Sequence, residues 1–292
     1  APIEDSFSDN CSDSLESTPT SSTSKLNVVV PIYPRVSNHT DLDPLAAHPQ
    51  VDLQLVGPSI TNSATNSLDT KNARPPIPAA DLVILPGSKN TRADLEWLKE
   101  QGWLPYLQQH LRYGGKILGI CGGLQMLGNS IHDPLGLEGD AGSSEGFGWL
   151  NIETELLADK TLKNVSGQLN LPNQPACDIQ GYEIHAGLSI NASDAFATHN
   201  HQSIIATRDQ HICGLLSDDQ QIMASYWHGL MDTPESLQAI MRWAGSASQV
   251  NAFRQVDYQQ LREHSLEILA ATIEEHFDWQ KLVLALDKFH AQ

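Results

Sequence analysis

Short apolar runs alternate with helix-like spacing along the first half of the chain. Four such runs are typical of strands: residues 27–33 (NVVVPIY), 51–56 (VDLQLV), 81–85 (DLVIL) and 116–120 (KILGI). The third is a continuous apolar run, as expected for a strand buried on both faces of a parallel sheet. Apolar side chains three or four residues apart predict helices at residues 94–98 and 104–111. This strand–helix–strand order predicts an α/β fold with helices on both faces of the sheet.

The second half of the chain is less regular, with three candidate strands and two helical regions. The candidate strands are residues 150–154, 182–190 and 221–227. Thr233 followed by Pro234 is a typical helix start and predicts a helix over residues 234–243. Farther on, four apolar residues share one face of an amphipathic helix: Leu266, Leu269, Ile273 and Phe277. We therefore predict a main domain over residues 25–250 and a C-terminal helical extension over residues 251–292.

Residues 1–24 differ in composition from the rest of the chain. They are rich in Ser, Thr, Asp and Glu, with almost no large apolar side chains, so they cannot bury enough surface to offset the entropy of ordering. We expect a disordered linker at the edge of a fragment, because the chain begins at Ala1 rather than Met. With no signal-like segment and no apolar run of membrane-spanning length, we expect a soluble, cytoplasmic protein without a membrane partner.

An acidic charge balance narrows the possible partners. The 17 Lys and Arg residues stand against 35 Asp and Glu residues, a net charge of −18 at pH 7. Binding to a phosphate backbone draws on clustered cations, so we expect no nucleic-acid partner. The cysteines at positions 11, 121, 177 and 213 have neither the paired spacing of a zinc site nor the density of a disulfide scaffold. We therefore expect no metal site in this chain.

One cysteine lies in a turn flanked by glycines. The run 119–123 (GICGG) follows a predicted buried strand and precedes a helix-like stretch at residues 124–127. It matches the G-x-nucleophile-x-G elbow, with Cys121 at the nucleophile position and glycines where side chains would collide with backbone. A helix start below the sulfur favours the thiolate, and amide N–H groups at the turn can receive an oxyanion. A buried structural cysteine is the alternative, but glycines on both sides favour the nucleophile.

A nucleophilic cysteine needs a base, and the chain offers 12 histidines. His228 follows the candidate strand at residues 221–227, where a loop could point the imidazole at the elbow. His185, at the end of the run 181–185 (GYEIH), is a rival on the same grounds. Local spacing does not choose between these two histidines.

Five segments, in order, resemble the glutamine amidotransferase domain of cobyric acid synthases, in the cobalamin branch of the class I amidotransferases. They are residues 34–41 (PRVSNHTD), 85–91 (LPGSKNT), 119–128 (GICGGLQMLG), 181–185 (GYEIH) and 226–230 (YWHGL). The resemblance covers most of residues 25–245. It implies a flavodoxin-like α/β fold with a mostly parallel central sheet flanked by helices. It also implies an enzyme that hydrolyses glutamine and delivers the ammonia for an amidation.

The resemblance implies a role for several positions. Cys121 matches the nucleophile that forms a glutamyl thioester, and His228 matches the base that moves protons to ammonia and from water. The backbone N–H groups of Gly87 and Gly122 match the oxyanion hole. Gln125 falls where the wider class places a glutamine near the bound substrate.

The chain departs from the wider class beside the base. Many class I domains place a glutamate two residues after the histidine to orient it, whereas this chain has Leu230 there, a feature that the cobalamin branch shares. Either a Cys–His dyad acts alone, or a differently placed carboxylate such as Glu183 orients His228. Glu183 and His185 are also candidates for substrate binding.

No phosphate-binding loop is recognisable, because residues 87–91 (GSKNT) lack the first glycine of the G-x-x-x-x-G-K-[ST] motif. We expect no cofactor in this chain. In cobyric acid synthases a separate synthetase domain uses ATP and magnesium to activate carboxylates of a corrinoid such as adenosylcobyrinic acid a,c-diamide. The resemblance therefore implies that synthetase domain and its corrinoid as partners, with glutamine as the substrate of the present chain.

Three alternatives stay open. The first is a stand-alone amidotransferase that partners a Mur ligase-like protein in the amidation of peptidoglycan precursors, although the segment 34–41 disfavours it. The second is a catalytically silent amidotransferase-like binding module, which an intact Cys121 and His228 argue against. The third is a cysteine hydrolase, such as a peptidase, built on the same elbow.

Overall fold

The computed structural model describes residues 25–58, 77–192, 201–206, 212–246, 249 and 253–290. The predicted linker at residues 1–24 lies outside them. The strands are β1 (Leu26–Pro31), β2 (Val36–Ser37), β3 (Val51–Val56), β4 (Leu82–Leu85), β5 (Gly87–Ser88), β6 (Lys116–Ile120), β7 (Ser130–Asp133), β8 (Gly142–Glu145), β9 (Ile152–Leu169), β10 (Cys177–Asn191), β11 (His201–Ser203), β12 (Ile205–Ala206), β13 (Gly214–Ser217), β14 (Ile222–Ser225) and β15 (Trp227–His228). The helices are the 3₁₀ helix η1 (His39–Leu42) and the α-helices α1 (Asp43–Ala46), α2 (Thr91–Glu100), α3 (Trp103–Arg112), α4 (Gly122–Leu127), α5 (Pro234–Ala244), α6 (Tyr258–His276) and α7 (Trp279–His290).

A mostly parallel sheet forms the centre of the fold. Among the described residues, seven strands lie in the order β11-β13-β14-β6-β4-β1-β3. The pairings from β3 through β1, β4 and β6 to β14 are parallel, and β13 and β11 are added antiparallel at one edge. The four apolar runs of the first half become β1, β3, β4 and β6. The expected flavodoxin-like α/β arrangement is therefore confirmed.

The apolar runs form strands here because both faces of the sheet are covered. All four positions of β4 are buried, and β6 is buried at every position after Lys116. A strand with neighbours on both sides and helices above and below buries side chains of both directions, so its sequence is continuously apolar. Cys121 and Gly87 both lie just beyond the carboxyl ends of such strands, at one edge of the sheet.

A second sheet, in the order β15-β10-β9-β7-β8, was not predicted from the sequence. Its longest members are β9, of 18 residues, and β10, of 15 residues, which pair antiparallel along most of their length. The sequence predicts only residues 150–154 and 182–190 of this ribbon. The remaining positions carry many exposed polar side chains, so their strand form depends on backbone hydrogen bonds to the partner strand rather than on buried apolar faces.

The predicted strand at residues 221–227 is divided between the two sheets. Its first part is β14 in the central sheet, and its end is β15, which pairs with β10. The chain changes sheet at Tyr226, whose N–H donates to the Cys213 carbonyl at 3.0 Å. This change of sheet carries His228 away from β14 and places it opposite Tyr182 of β10.

The C-terminal region is helical, as predicted, but its apolar face is not buried. Helix α5 begins as expected, with Thr233 accepting the Ser236 N–H. No side chain of α6 is buried, and the four residues of its predicted apolar face are 41–56% exposed. Phe253 packs into the core at 5% exposure, inside the stretch that the sequence assigns to the extension. Within the described residues, none of the helices combines the length and apolarity needed to cross a membrane.

Candidate active site

Cys121 lies at a strained turn between β6 and α4. Its backbone has φ 52° and ψ −107°, an unusual conformation for a residue with a side chain. The preceding strand ends at Ile120, and the helix begins at Gly122, two residues earlier than the sequence predicts. The backbone N–H of Cys121 donates to the Ser225 carbonyl at 2.8 Å, which ties the turn to β14. The predicted nucleophile elbow is therefore present.

The glycines around Cys121 are required by close backbone contacts. A Cβ at Gly123 would lie 2.0 Å from the Leu85 carbonyl oxygen, and one at Gly119 would lie 2.8 Å from the Gly123 carbonyl. Real Cβ atoms do not approach backbone this closely, so any larger residue would force the strands and α4 apart. The close packing of α4 against β4 and β6 thus requires glycine at both positions.

The Cys121 sulfur is buried, and its surroundings favour the thiol. Its side chain donates to the Ile184 carbonyl at 3.4 Å. Burial raises the pKa of the Cys121 thiol to about 12; the Gly122 N–H lowers it, and the charges of Asp41, Glu138 and Glu183 raise it further. The expectation that the helix start favours the thiolate is therefore wrong, because desolvation outweighs one N–H group of a short helix.

His228 is fully buried and bonded at both ring nitrogens. Nδ1 lies 2.6 Å from Asp41 Oδ2, and Nε2 lies 3.0 Å from the side-chain nitrogen of Asn38. The Gly229 N–H donates to the second Asp41 oxygen at 2.9 Å. The Tyr182 ring stacks on the imidazole with centroids 5.1 Å apart. Asn38 directly follows β2 and precedes η1, and Asp41 lies within η1.

The rival histidine, His185, has a different carboxylate partner. Its Nε2 lies 2.6 Å from Glu183 Oε1, and its ring stacks on Tyr226 with centroids 4.0 Å apart. The second oxygen of Glu183 faces the Lys163 ammonium at 3.3 Å. Burial raises the pKa of Glu183, but the hydrogen bond and charge of His185 and the charge of Lys163 outweigh it and leave the pKa lowered. Glu183 is therefore the hydrogen-bond partner of His185, and the alternative in which Glu183 orients His228 is wrong.

A cavity of about 450 Å³ opens beside the elbow. Cys121, Gln125, His185 and Asn38 all line it, whereas His228 lies behind Asn38 and is not part of the wall. The volume is within the range of small-molecule sites, about 300–1,000 Å³. The predicted nucleophile and three other polar side chains thus face one space large enough for an amino acid.

The charges around this cavity suit a zwitterion. Glu138 lines one side, with its Oε2 accepting the Thr91 N–H at 2.6 Å. Burial raises the pKa of Glu138, although the N–H groups of Thr91 and Arg92 lower it. Two exposed basic residues, Lys89 and Lys160, also line the cavity. A ligand with one cationic and one anionic end can therefore be held at both ends.

Gln125 is fixed in the cavity wall by two hydrogen bonds. Its Oε1 accepts from the Thr91 hydroxyl at 3.1 Å, and its Nε2 donates to the Tyr226 hydroxyl at 3.2 Å. The Tyr226 hydroxyl lies 2.6 Å from the Ser189 hydroxyl, which in turn lies 2.6 Å from that of Thr154. This buried chain of polar groups holds Gln125 in one orientation.

Two backbone segments meet where the oxyanion hole is predicted. Gly122 lies in the first turn of α4, where amide N–H groups have no partner inside the helix. A Cβ at Gly122 would lie 2.9 Å from the Ser88 nitrogen, so the β5 backbone passes directly beside the elbow. A Cβ at Gly87 would lie 2.8 Å from the Ser37 hydroxyl and 3.7 Å from the His228 ring. Of the predicted pair, Gly122 therefore lies next to the nucleophile and Gly87 next to the base.

Sequence reasoning missed three residues of this site: Asn38, Asp41 and Glu138. Asn38 and Asp41 stand in the segment 34–41 that carries the family resemblance, but without a role assigned to either. Glu138 lies 17 positions after Cys121, in a turn-rich stretch with no periodic signal. Within the described part of the chain, no group of three or more His, Cys, Asp or Glu side chains is arranged to hold a metal ion.

Comparisons with known proteins found one family model and several solved structures that resemble this chain. The family model of the CobB/CobQ-like glutamine amidotransferase domain matches residues 27–236. Among solved structures, the chain is similar to PurLQS from Thermotoga maritima (15% identity, 83% of this chain and 99% of that chain, TM-score 0.45). It is also similar to a putative GMP synthase subunit from Thermoplasma acidophilum (18% identity, 72% and 85%, TM-score 0.42) and to a glutamine amidotransferase (13% identity, 75% and 99%, TM-score 0.46). The matched segment 27–236 includes both Cys121 and His228.

Proposed function

Because the chain belongs to the CobB/CobQ-like glutamine amidotransferase domain family, we propose that it is the glutaminase module of a cobyric acid synthase. The chain is an amidotransferase enzyme on the family match; the acceptor and the residue roles are our proposal. The observation that carries it is the cavity in which Cys121 and Gln125 face Glu138, with the buried base His228 behind Asn38. The acceptor is a corrinoid such as adenosylcobyrinic acid a,c-diamide, held by a synthetase that uses ATP and magnesium.

Glutamine binding follows from the charges of the cavity. The α-ammonium group of glutamine pairs with the Glu138 carboxylate, and the α-carboxylate faces Lys89 or Lys160. The side-chain amide then extends toward the sulfur of Cys121. Gln125, which is held by Thr91 and Tyr226, forms the wall along this path. A substrate bound at both charged ends places its amide carbon near the nucleophile without further adjustment.

The first half of the reaction forms the thioester. His228 Nε2 takes the proton of the Cys121 thiol as the sulfur attacks the amide carbon of glutamine. The negative charge that develops on the amide oxygen is received by the backbone N–H groups of Gly87 and Gly122. When the tetrahedral intermediate collapses, the carbon–nitrogen bond breaks and His228 gives its proton to the leaving nitrogen. The products of this half are ammonia and a glutamyl thioester on Cys121.

The second half releases glutamate. A water molecule gives one proton to His228, and its oxygen attacks the thioester carbonyl carbon. The carbon–sulfur bond breaks, and the proton on His228 returns to the Cys121 sulfur. Coupling the proton transfer to the attack matters here, because burial keeps the resting sulfur protonated, with a pKa of about 12. A nucleophile of this kind reacts fastest when glutamine is bound and the base takes its proton during the attack.

Access to the base requires a movement of Asn38. In the resting site the Asn38 amide lies at His228 Nε2, and His228 itself is not part of the cavity wall. The lone pair that must receive the thiol proton is therefore already occupied. Rotation of the Asn38 side chain as glutamine binds frees this nitrogen to receive the thiol proton.

Affinity labelling with a glutamine analogue tests the glutaminase site. We expect 6-diazo-5-oxo-L-norleucine to add once to the chain, at Cys121, as seen by intact-protein mass and peptide mapping. Excess glutamine should block the adduct, Cys121→Ser should abolish it, and His228→Ala should slow it. A matched control is Cys213→Ser, which removes another buried thiol outside the cavity. An adduct that maps elsewhere, or that glutamine does not block, would contradict the proposal.

The acceptor is tested with a synthetase present. The chain is mixed with the synthetase domain of a cobyric acid synthase, ATP, magnesium and adenosylcobyrinic acid a,c-diamide. We expect glutamine-dependent amidation of the corrinoid that is lost in Cys121→Ser but restored by free ammonia. If only a Mur ligase-like partner gains glutamine-dependent amidation, the cobyric acid synthase assignment is wrong while the glutaminase assignment stands.

A further inference from the structure

One short segment holds both nitrogens of His228. Asp41 lies in η1 and is 5% exposed. Its Oδ2 is 2.6 Å from His228 Nδ1, and its Oδ1 accepts the Gly229 N–H at 2.9 Å. The Asp41 N–H donates to the Asn38 carbonyl at 3.1 Å, so the two residues that contact the imidazole are joined by one turn. The carboxylate thus contacts both the ring and the backbone that follows it.

We propose that Asp41 is the positioning residue of this active site and takes the place of the glutamate that the wider class carries two residues after the histidine. The proposal rests on the glutaminase function, since it concerns the same base. The usual position holds Leu230, an apolar residue at 3% exposure that cannot accept a proton or a hydrogen bond through its side chain. Asp41 reaches the ring from a segment 187 positions earlier in the chain.

The hydrogen bonds fix which ring nitrogen carries the proton. A carboxylate at Nδ1 accepts a hydrogen bond, so the neutral imidazole must hold its proton on Nδ1. Nε2 is then an acceptor, which agrees with an amide nitrogen of Asn38 lying 3.0 Å away. This is the tautomer that a base needs, because only an unprotonated Nε2 can take the proton of the thiol. When it does so, the adjacent carboxylate stabilises the imidazolium that forms in a buried site.

The surroundings hold the segment in place. At its start, Ser37 pairs with Gly87 of β5 beside the predicted oxyanion hole. Asn38 adopts the left-handed conformation, with φ 51° and ψ 46°, and makes no side-chain cap to η1 although it occupies the cap position. An Asn at a helix start ordinarily caps the helix. Here its side chain is used on His228 instead, which supports a role of the whole turn in holding the base.

Among the described residues, no other nearby carboxylate is hydrogen-bonded to the His228 ring. Glu183 is bonded to His185. Asp43, two residues after Asp41, accepts from the Tyr258 hydroxyl at 3.2 Å. Asp232 lies near Gly229, with its Oδ2 3.0 Å from the position of a Cβ there, but no hydrogen bond joins it to the His228 ring in the described residues. Asp43 is therefore a matched control, an acidic residue of the same segment outside the site.

The direct test locates the ring proton of His228 by NMR. The full chain is labelled with [¹⁵N]histidine, and the His228 signals are assigned from their loss in His228→Gln. We expect the neutral wild-type ring to carry its proton on Nδ1. In Asp41→Asn the new amide can donate to Nδ1, which should move the proton to Nε2, while Asp43→Asn leaves it on Nδ1. A wild-type proton on Nε2 would overturn the proposal, and this result does not depend on either Asp41 or Asp43 variant.

Glutaminase kinetics supply the second readout. We expect Asp41→Asn to lower kcat by about 10⁴-fold, which is the effect on kcat of losing the orienting carboxylate in a Ser-His-Asp triad. KM should stay within about threefold of the wild-type value. Asp41→Glu should recover part of kcat, and Asp43→Asn should match the wild type. A kcat for Asp41→Asn within about tenfold of wild type, in a variant with an unchanged urea midpoint, would refute the role.

The two readouts separate this inference from the function on which it rests. If the wild-type chain with its synthetase releases no ammonia from glutamine, the proposed function fails. The position of the ring proton then still decides whether Asp41 orients His228. If ammonia is released but the proton lies on Nε2, the function stands and the positioning role is wrong.

Discussion

Replacing Gly181 by alanine tests whether His228 must lie where the structure places it. Gly181 precedes the residue of β10 that pairs with His228. An added Cβ would lie 2.0 Å from the His228 carbonyl oxygen and 3.1 Å from its carbonyl carbon. Ordinary contacts begin at 3.4 Å, so the oxygen and the methyl group must separate by the difference, 1.4 Å. Because the obstacle is backbone, β15 itself has to move, and His228 moves with it.

Both the stability and the reactivity of the site should fall. Overpacking of this kind costs about 1–3 kcal/mol of unfolding free energy. A misplacement of about 1 Å between reacting groups lowers a rate by about 10²-fold. We therefore expect Gly181→Ala to unfold at lower urea concentration and to react with 6-diazo-5-oxo-L-norleucine about 10²-fold more slowly at Cys121. No catalytic group is removed by the change, so the loss would come from geometry alone.

Gly57→Ala is the matched control. An added Cβ there meets nothing within 4 Å, so the same chemical change should leave both stability and labelling unaltered. If Gly181→Ala reacted at the wild-type rate and unfolded at the wild-type urea concentration, the required position of His228 would be refuted. It would also be refuted if both variants lost reactivity equally.

Three further predictions concern the cavity and its nucleophile. Glu138→Gln removes the proposed partner of the α-ammonium group of glutamine. The glutamine concentration that halves labelling of Cys121 should then rise by about tenfold, while the rate of alkylation by iodoacetamide without glutamine stays unchanged. Equal protection by glutamine in the variant and the wild type would contradict the assignment. Burial raises the pKa of Cys121 to about 12, so the thiolate fraction should keep growing as pH rises. The rate of iodoacetamide alkylation at Cys121 should therefore still increase between pH 9 and 10. A plateau of this rate near the ordinary thiol pKa of about 8.5 would contradict the effect of burial. Tyr226→Phe leaves Gln125 and Ser189 each without one buried partner and should lower the unfolding free energy by about 1–3 kcal/mol in urea titrations; an unchanged midpoint would show that the hydroxyl is not part of a fixed network.

The parts of the fold and site that the sequence predicts are those with a local signal. Residues 51–56 alternate apolar and polar side chains, and residues 116–120 are mostly apolar; β3 and β6 match these two predicted strands at both ends. The elbow at Cys121 is also local, since a strand, a nucleophile and flanking glycines lie within a few residues. Helix α5 was predicted from Thr233 and Pro234 for the same reason.

The parts that the sequence does not predict depend on contacts between distant segments. The bond between Asp41 and His228 joins residues 187 positions apart, and neither neighbourhood shows that the other is near. The choice between His228 and His185 likewise depends on the family resemblance, because local spacing does not separate them. In the fold, each of the two histidines contacts a carboxylate of its own. The long ribbon of β9 and β10 is held by its pairing, so its polar sequence does not mark it as strand.

The state of the nucleophile illustrates a balance that only the packed structure settles. From the sequence, the start of a helix just after Cys121 predicts a lowered thiol pKa. In the fold, Cys121 is 7% exposed, and the loss of solvent outweighs the N–H group at the helix start. Two effects of opposite sign were both foreseeable, but their relative size depends on burial, which the local sequence does not give.

Trapping the covalent intermediate tests the central claim that Cys121 attacks the glutamine amide. The chain, with its synthetase partner, is mixed with glutamine, quenched in acid within milliseconds to seconds, and measured by intact-protein mass and peptide mapping. We predict a single added glutamyl group on Cys121 in the wild-type chain, and none in Cys121→Ala, which should also release no ammonia. Ammonia release by Cys121→Ala at the wild-type rate, or a glutamyl group on another residue, would contradict the account.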